Sequence, residues 1–535
     1  MDDGWVRDEP CHLSIRLLRQ VTLWGKKIQK GYSDESLRKA TEDFIQVDAA
    51  LPSCPRDLSG AADLLVVARA IVERLFRHVG DPSHSNPRHG PGAVAGGEGT
   101  IWKRKLAVSY TDLEAVFRPI PWFVSLRDAA ESPERVYGRV KRKFGLSKIR
   151  FVEKDSSGPR TIGLEPAEYM WVQQALKGLM YHYIETRSFA KGRINFTDQT
   201  INRRLSMQWR RYETLDMSKA SDRNSLVLVE ALFGRTRLWP WLQASRTPGT
   251  VLPDGRILMY KKFAPMGSAV CFPVQAVVYY ALACAAQHLA GMPLFLACRN
   301  TYVYGDDLIV LRGNFSRIDS AFSSVGLKFN TDKCCTEGRF RESCGMDAFD
   351  GYEVTPARMR LSDVRGRTDI AKLVEHSNRL MDAGYWNTAI RQRELTKRVI
   401  LHLNLKMSFP ISHRTDFPFL TWRAAPWETE TVRYRTDNKT GLTFVKGWAY
   451  RPKVVESCSE LEVMHLRESL SRGGPVGELK FLELDPENRE DDRYTWAFVG
   501  PRLSERLPMS VRRYLAQKYS GDLIKTRFAV VREYC

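Results

Sequence analysis

The sequence predicts an α+β protein in which a small antiparallel sheet is backed by helices. Three observations carry this. Two β-rich apolar runs, Thr301–Tyr304 and Leu308–Leu311, flank a Gly305-Asp306 pair, the pattern of a tight hairpin in which glycine supplies the positive φ. Helical periodicity runs through the first 79 residues, as in Leu13, Leu17, Leu18 and Val21, and again from Leu64 to Leu75. The longest apolar run, Val274 to Ala286, follows Pro273 and contains Gln275; it is too short for a membrane span and reads as a buried helix.

The chain has 535 residues, enough for roughly three or four domains' worth of core. Its apolar content of 43% and aromatic content of 11% are those of a folded globular protein. A formal charge of +20 points to a polyanionic partner, nucleic acid before any other; charge kept for solubility is the weaker explanation for so one-signed an excess. Ten cysteines are scattered without any Cys-x-x-Cys, and ten histidines are equally dispersed, so no zinc signature is present. The acidic start, Met1-Asp2-Asp3-Gly4-Trp5, lacks an apolar signal core and leads us to expect a reducing cytosol with no membrane association.

The hairpin runs are apolar on both faces, so the strands should be buried. Yet their turn carries Asp306 and Asp307. Unpaired acids at the end of buried strands are costly unless a cation neutralises them. Aspartate oxygens suit Mg²⁺, which binds one or two carboxylates and takes its other ligands from water and phosphates. An ordinary surface turn is the plain alternative, since Gly-Asp is common in hairpins.

A second acidic word, Asp216-Met217-Ser218-Lys219-Ala220-Ser221-Asp222, follows a short strand that ends at Asp216. Ser221 or Asp222 is placed to cap a helix with Leu226, Val229 and Leu232 on its apolar face. Asp216 has no capping role open to it. If its strand pairs with the Tyr302–Tyr304 hairpin, an interstrand spacing of about 4.8 Å sets Asp216 beside Asp306. Three carboxylates would then surround space for two cations about 3.5–4 Å apart, the layout used for in-line phosphoryl transfer.

Between Arg139 and Arg160 there are eight Lys or Arg against two acids. Ile149–Val152 reads as a strand, Ser156–Pro159 as a turn and Thr161-Ile162 as a return strand. Cations such as Lys154 and Arg160 on the arms of a hairpin suit a triphosphate or a nucleic-acid backbone, against the plain reading of a solvated basic hairpin. Leu252–Arg256 reads as a hairpin turn. Pro265–Gln275 reads as a glycine loop opening a long helix, where Gly267 and Ser268 allow close approach to an anionic ligand; capping by Ser268 is the alternative. From about residue 361 onward helical patterns mix, and the final stretch from Pro501 to Cys535 carries eight Lys or Arg against three acids.

A basic hairpin, Asp-x5-Asp, Met-Gly-Ser before a helix, Tyr304-Gly305-Asp306-Asp307 and then a lysine turn resemble, in order, motifs F, A, B, C and D of viral RNA-dependent RNA polymerases. The words Asp198–Asn202, Ser218–Asp222, Leu252–Gly255, Asn330–Lys333 and Phe340–Gly345 resemble the replicase β subunit of the single-stranded RNA bacteriophages, the levivirus group. The resemblance covers roughly residues 150–356. It implies a right-hand fold, with fingers and a helical N-terminal region in residues 1–205, a palm in 206–360 and a thumb-like region in 361–535.

It also implies template-directed transfer of a nucleotidyl group from NTP to the 3′-hydroxyl of RNA, replicating a phage genome in the cytoplasm of a bacterial host. Asp216, Asp306 and Asp307 would hold two Mg²⁺ ions, with Mn²⁺ as the alternative, and Asp307 would be the less direct ligand. Lys154 and Arg160 would hold the triphosphate, and Gly267 and Ser268 would line the nucleotide site. Asp222 would sense the ribose 2′-hydroxyl and Lys333 would give a proton to departing pyrophosphate. Expected partners are template and product RNA, NTPs, host elongation factors Tu and Ts, and ribosomal protein S1. Relative to the coliphage pattern, Ser268 stands in place of an asparagine and Gln275 of a glutamate. Two rivals are a reverse transcriptase, which shares the paired aspartates, and a non-catalytic RNA-binding protein on a polymerase fold.

Overall fold

The computed structural model describes residues 10–28, 31–90, 92–96, 106–124, 129–130, 134–155, 158–359, 361, 364–415, 417, 419–436, 443–452, 495–497 and 520–530. Two compact units divide the chain. One comprises Met1–Val21 with Gly31–Pro356, the other Thr22–Lys30 with Ala357–Cys535.

Three helices open the chain: α1 (His12–Leu23), α2 (Asp34–Ala49) and α3 (Ala62–Phe76). Their start signals are local, as where Ser33 accepts the Ser36 N–H ahead of Asp34 and Glu35 in the first turn of α2. The basic stretch forms an antiparallel pair, β1 (Ser147–Asp155) and β2 (Gly158–Leu164), with Val152 opposite Arg160. After the long helix α4 (Ala167–Thr186) comes β3 (Tyr212–Leu215), then the single-turn helix α5 (Ala220–Arg223). Strands β4 (Gly249–Val251) and β5 (Ile257–Met259) close the expected Leu252–Arg256 turn, and β4 joins β1 to complete a four-stranded sheet.

At the centre of this unit lies a three-stranded antiparallel sheet. The hairpin strands β6 (Tyr302–Tyr304) and β7 (Asp307–Leu311) pair as predicted, and β3 joins the hairpin along β7, with Leu215 opposite Leu308. Val303, Leu308, Ile309 and Val310 are fully buried. Behind the sheet runs α6 (Cys271–Leu289), the predicted apolar helix, buried almost throughout and packed on α3, on β6 and on α7 (Phe315–Ser323). No helix among the described residues is long and apolar enough to cross a membrane. The unit ends with the hairpin β8 (Phe340–Ser343) and β9 (Met346–Phe349).

The second unit departs from the helical mixture expected after residue 361. It does contain a packed helix pair, α8 (Arg367–Asp382) and α9 (Trp386–His402), around a core that includes Ile370, Val374, Ile400 and Trp422. The sequel is sheet: β10 (Thr443–Pro452) pairs antiparallel with β11 (Ser520–Val530). Thr443–Tyr450 is rich in Thr, Phe, Val, Trp and Tyr, residues that fit a pleated, half-buried surface better than a helix. Most of the basic Pro501–Cys535 stretch lies outside the described residues.

Candidate active site

The turn that carries Asp306 is fixed by glycine. Gly305 has φ +65°, and a Cβ there would meet Phe272 Cε2 at 2.1 Å. Phe272 sits on the first turn of α6 and contacts Tyr304 edge-on at 5.6 Å between ring centroids. The two-residue turn is therefore pressed against the helix behind it.

Register then assembles the acids. Leu215 pairs with Leu308, so Asp216 leaves β3 alongside the start of β7. On its other edge, β3 meets the segment around Asn330: the Asn330 N–H donates to the Asp216 carbonyl at 2.9 Å, and the Cys335 N–H to that of Thr214 at 2.8 Å. The turn between these bonds brings Lys333 Nζ within 3.2 Å of Asp216 Oδ2.

The two hairpin aspartates differ. Asp306 keeps an exposed face, but the protein packed around it, together with the Asp216 charge, raises its carboxyl above the usual range, while Arg160 and Lys333 pull the other way. Asp307 accepts the Cys344 N–H at 2.9 Å on Oδ2 and so turns toward the β8–β9 hairpin. Burial, then the charges of Asp306 and Glu342, push it up to about 7. Asp216, Asp306, Lys333 and Arg160 thus form one electrostatic group, and Asp307 is anchored beside it.

Lys154 lies on β1, with its side chain outside the described residues. Gly267 serves packing: with φ +116°, a Cβ there would strike the Gly163 carbonyl oxygen at 2.1 Å, while the Gly163 N–H donates to the Met266 carbonyl at 2.7 Å. The glycine loop and the basic hairpin are thereby locked together. Ser268 does not cap α6, whose N-cap is Val270; its hydroxyl is buried with no partner among the described residues.

The expectation that Ser221 or Asp222 caps the following helix is corrected. Ser225 does so, accepting the Leu228 N–H at 3.1 Å. Asp222 instead lies within α5 and pairs with Lys262 at 3.0 Å. Asn224 and the cap Ser225, which separate α5 from that helix, explain the difference: the chain makes one separate turn before the helix begins.

Sequence reading passed over two participants. Glu342 on β8 is held above the usual carboxylate range by burial, then by the charges of Asp347 and Asp216. Along β8 Arg341 and Ser343 are buried on one face and Glu342 lies on the other, but the word Phe-Arg-Glu-Ser carries no apolar alternation that would have revealed it. The other is Lys262 with Asp48 behind it, for which no local signal exists.

Among the described residues no group of three or more His, Cys, Asp or Glu side chains converges closely enough to cage a metal ion. What the acids form is a mutually repelling Asp216–Asp306 pair, with the Lys333 ammonium standing where a cation is favoured. That donor set fits a hard ion which takes most of its coordination from water and phosphate.

A central antiparallel sheet with an acidic hairpin, backed by a buried helix and accompanied by a basic hairpin, defines the class. The chain belongs to the RNA replicase, beta-chain family, whose pattern matches residues 67–382. It is 35% identical over 223 residues to the RNA-directed RNA polymerase subunit beta of Qbeta virus (strain MX1), covering 40% of this chain and 36% of that protein. To the same subunit of Escherichia virus Qbeta it is 32% identical over 218 residues, 40% of this chain and 35% of the relative. The aligned stretch thus spans about a third of the length of these relatives. The crystal structure of the RNA-dependent RNA polymerase of a human picorbirnavirus aligns with 47% of this chain and 55% of its own, at 12% identity and a TM-score of 0.36.

Proposed function

We propose that this chain is an RNA-directed RNA polymerase that transfers nucleotidyl groups from NTPs to the 3′-hydroxyl of a growing RNA, replicating a phage genome. The observation that carries the reading is the meeting of Asp216 and Asp306 at adjoining strand ends, with Lys333 on Asp216 and Arg160 within electrostatic reach of Asp306. Asp216 and Asp306 are the residues that would hold Mg²⁺, or Mn²⁺ in its place, with Asp307 a less direct contributor. Such ions, when bound, lower the pKa of the attacking hydroxyl and stabilise the leaving pyrophosphate.

The protein's own groups do the positioning. Arg160 and Lys154 neutralise the triphosphate, and the loop at Gly267 and Ser268 lines the nucleotide. Lys333 donates a proton to the departing pyrophosphate. Asp222 accepts a hydrogen bond from the ribose 2′-hydroxyl. Catalysis is then mainly orientation and charge neutralisation.

We take residues 1–205 as the N-terminal helical region and fingers, 206–360 as the palm and 361–535 as a thumb-like region. The relatives are named as beta subunits, and we take this chain likewise to work in an assembly in the bacterial cytoplasm. Host elongation factors Tu and Ts and ribosomal protein S1 are the partners the resemblance proposes. A positively charged surface cannot select one RNA among many, since phosphates are alike in all of them.

The test is an extension assay on the purified full chain with a phage-like RNA template, NTPs or dNTPs, and Mg²⁺, with and without host lysate. Incorporation of NTPs supports the proposal. Preference for dNTPs would make the chain a reverse transcriptase, and RNA binding without incorporation in either condition would overturn the catalytic reading.

A further inference from the structure

Lys262 is a wholly buried ammonium, 0% exposed, set between two carboxylates. Its Nζ lies 3.0 Å from Asp222 Oδ1 and 3.7 Å from Asp48 Oδ1. It also stands 3.5 Å over the centre of the Phe44 ring and 5.4 Å from that of Tyr260. Asp48, at the end of α2, is buried and accepts the N–H groups of Lys261 at 3.0 Å and Lys262 at 3.1 Å. The same helix reaches this segment a second time, where Asp43 pairs with Lys219, a left-handed residue immediately before α5. The turn of α5 is held from the other side: the Tyr279 hydroxyl donates to the Ala220 carbonyl at 2.9 Å, and Asn224 Nδ2 donates to the same oxygen at 2.8 Å.

Burying an ammonium is costly, and an apolar side chain in an aromatic box would serve folding at least as well. Here the ammonium engages one oxygen of Asp222. The carboxylate keeps 16% of its side chain exposed, and its other oxygen has no protein partner among the described residues. An acceptor pinned at one end and open at the other suits recognition of a hydroxyl. A site built to bond a hydroxyl discriminates strongly against the analogue that lacks it, provided that the acceptor cannot swing away.

We infer that Lys262, fixed by Asp48 of α2, is a positioning residue for sugar discrimination, holding Asp222 by one oxygen and leaving the other for the ribose 2′-hydroxyl. The inference rests on the reading of Asp222 as the ribose acceptor. It makes α2 part of the nucleotide site through Asp48 and Lys262.

The experiment compares kcat/KM for NTP and dNTP in the full chain and in Asp222→Ala, Lys262→Met and Asp48→Asn, each checked for folding by thermal melt. Lys262→Met should narrow the NTP preference by about tenfold, the scale of one hydrogen bond to a charged group. The loss should fall on NTP and leave dNTP kcat/KM unchanged, and it should add nothing to Asp222→Ala in the double variant. Asp48→Asn should act in the same direction and less strongly, because Lys262 keeps its bond to Asp222 while asparagine, with one acceptor oxygen in place of two, still takes one of the two N–H groups. If Lys262→Met does not fold, Asp48→Asn decides. An unchanged preference in Asp222→Ala would mean that the ribose reading itself fails. A narrowed preference there, with folded Lys262→Met and Asp48→Asn retaining full discrimination or losing NTP and dNTP activity equally, overturns the inference alone.

Discussion

Lys333 Nζ stands 3.2 Å from Asp216 Oδ2, joining the turn after α7 to the end of β3. Burial alone would lower the pKa of this lysine. Asp216, by charge and by hydrogen bond, and then Glu342 and Asp306 outweigh that and hold it above the ordinary value. The ammonium therefore stays charged across the working range and has a proton to give. Lys333→Met should lower kcat by about 10²-fold, the usual scale for loss of a general acid, with little change in NTP KM. A single-turnover assay reads this directly, and a fall in KM-dependent binding alone would point to a purely electrostatic role.

Asp306→Asn should reduce incorporation by several orders of magnitude while RNA binding persists. We expect template affinity to rest on exposed cations spread over the surface, such as Arg210 and Arg312, rather than on Asp306. Filter binding and extension on one preparation separate the two effects. Near-normal synthesis would sink the assignment of the carboxylates.

Asp307→Asn should be milder than Asp306→Asn. One Asp307 oxygen is already taken by the Cys344 N–H, and asparagine can still accept that bond. We expect about a tenfold loss of kcat, as for a supporting hydrogen-bonded contact to a charged group. Equal losses in the two variants would show that both aspartates contact the reacting groups alike.

These distinctions mark how far the sequence could be read. Asp216, Asp306 and Lys333 were legible because each sits in a short word with its own local pattern. Which hairpin strand receives β3 was left open, since both are apolar and only register tells β7 from β6. Asp222 was legible as an acid but not in its bonding, because Asn224 and Ser225 delay the helix it was expected to cap. The Asp48–Lys262 contact joins residues 214 apart in the chain, and no periodicity reports such a pairing. The β10–β11 pair was hidden for the same reason: a strand's partner cannot be seen when it lies far along the chain.

Glu165 gives a pH signature of stability. It is wholly buried, with Oε1 accepting the Thr247 hydroxyl at 3.3 Å and Oε2 lacking a partner among the described residues. Burial pushes it up to about 7 from an ordinary 4.5, although Thr247, Arg246 and Gln173 pull it down. Between those values the folded state keeps a proton that the unfolded chain releases. Stability from this group is thus complete below the lower value, falls as pH rises through the window and levels off above it. The change is on the order of 3 kcal/mol. Glu165→Gln should flatten that part of the slope in urea melts, and an unaltered slope would rule this carboxyl out as its source.

The last expectation concerns Gly305, which separates two costs that are usually confounded. Alanine at φ +65° pays a left-handed backbone penalty of about 1–2 kcal/mol wherever it occurs. Here its Cβ would also meet Phe272 Cε2 at 2.1 Å, which forces either the ring or the turn to move. Phe272 is wedged against Tyr304 and Phe196, with ring centroids 5.6 and 6.1 Å away, so the turn should yield first and carry Asp306 with it. Gly305→Ala should therefore lower both the melting temperature and kcat, the second by more than the stability loss explains. Adding Phe272→Ala removes the obstacle but not the backbone penalty. The double variant should recover part of kcat while remaining less stable than the parent, because a cavity replaces the ring. If kcat falls in Gly305→Ala and Phe272→Ala restores none of it, the clash is not what displaces the carboxylate, and backbone conformation alone sets the turn.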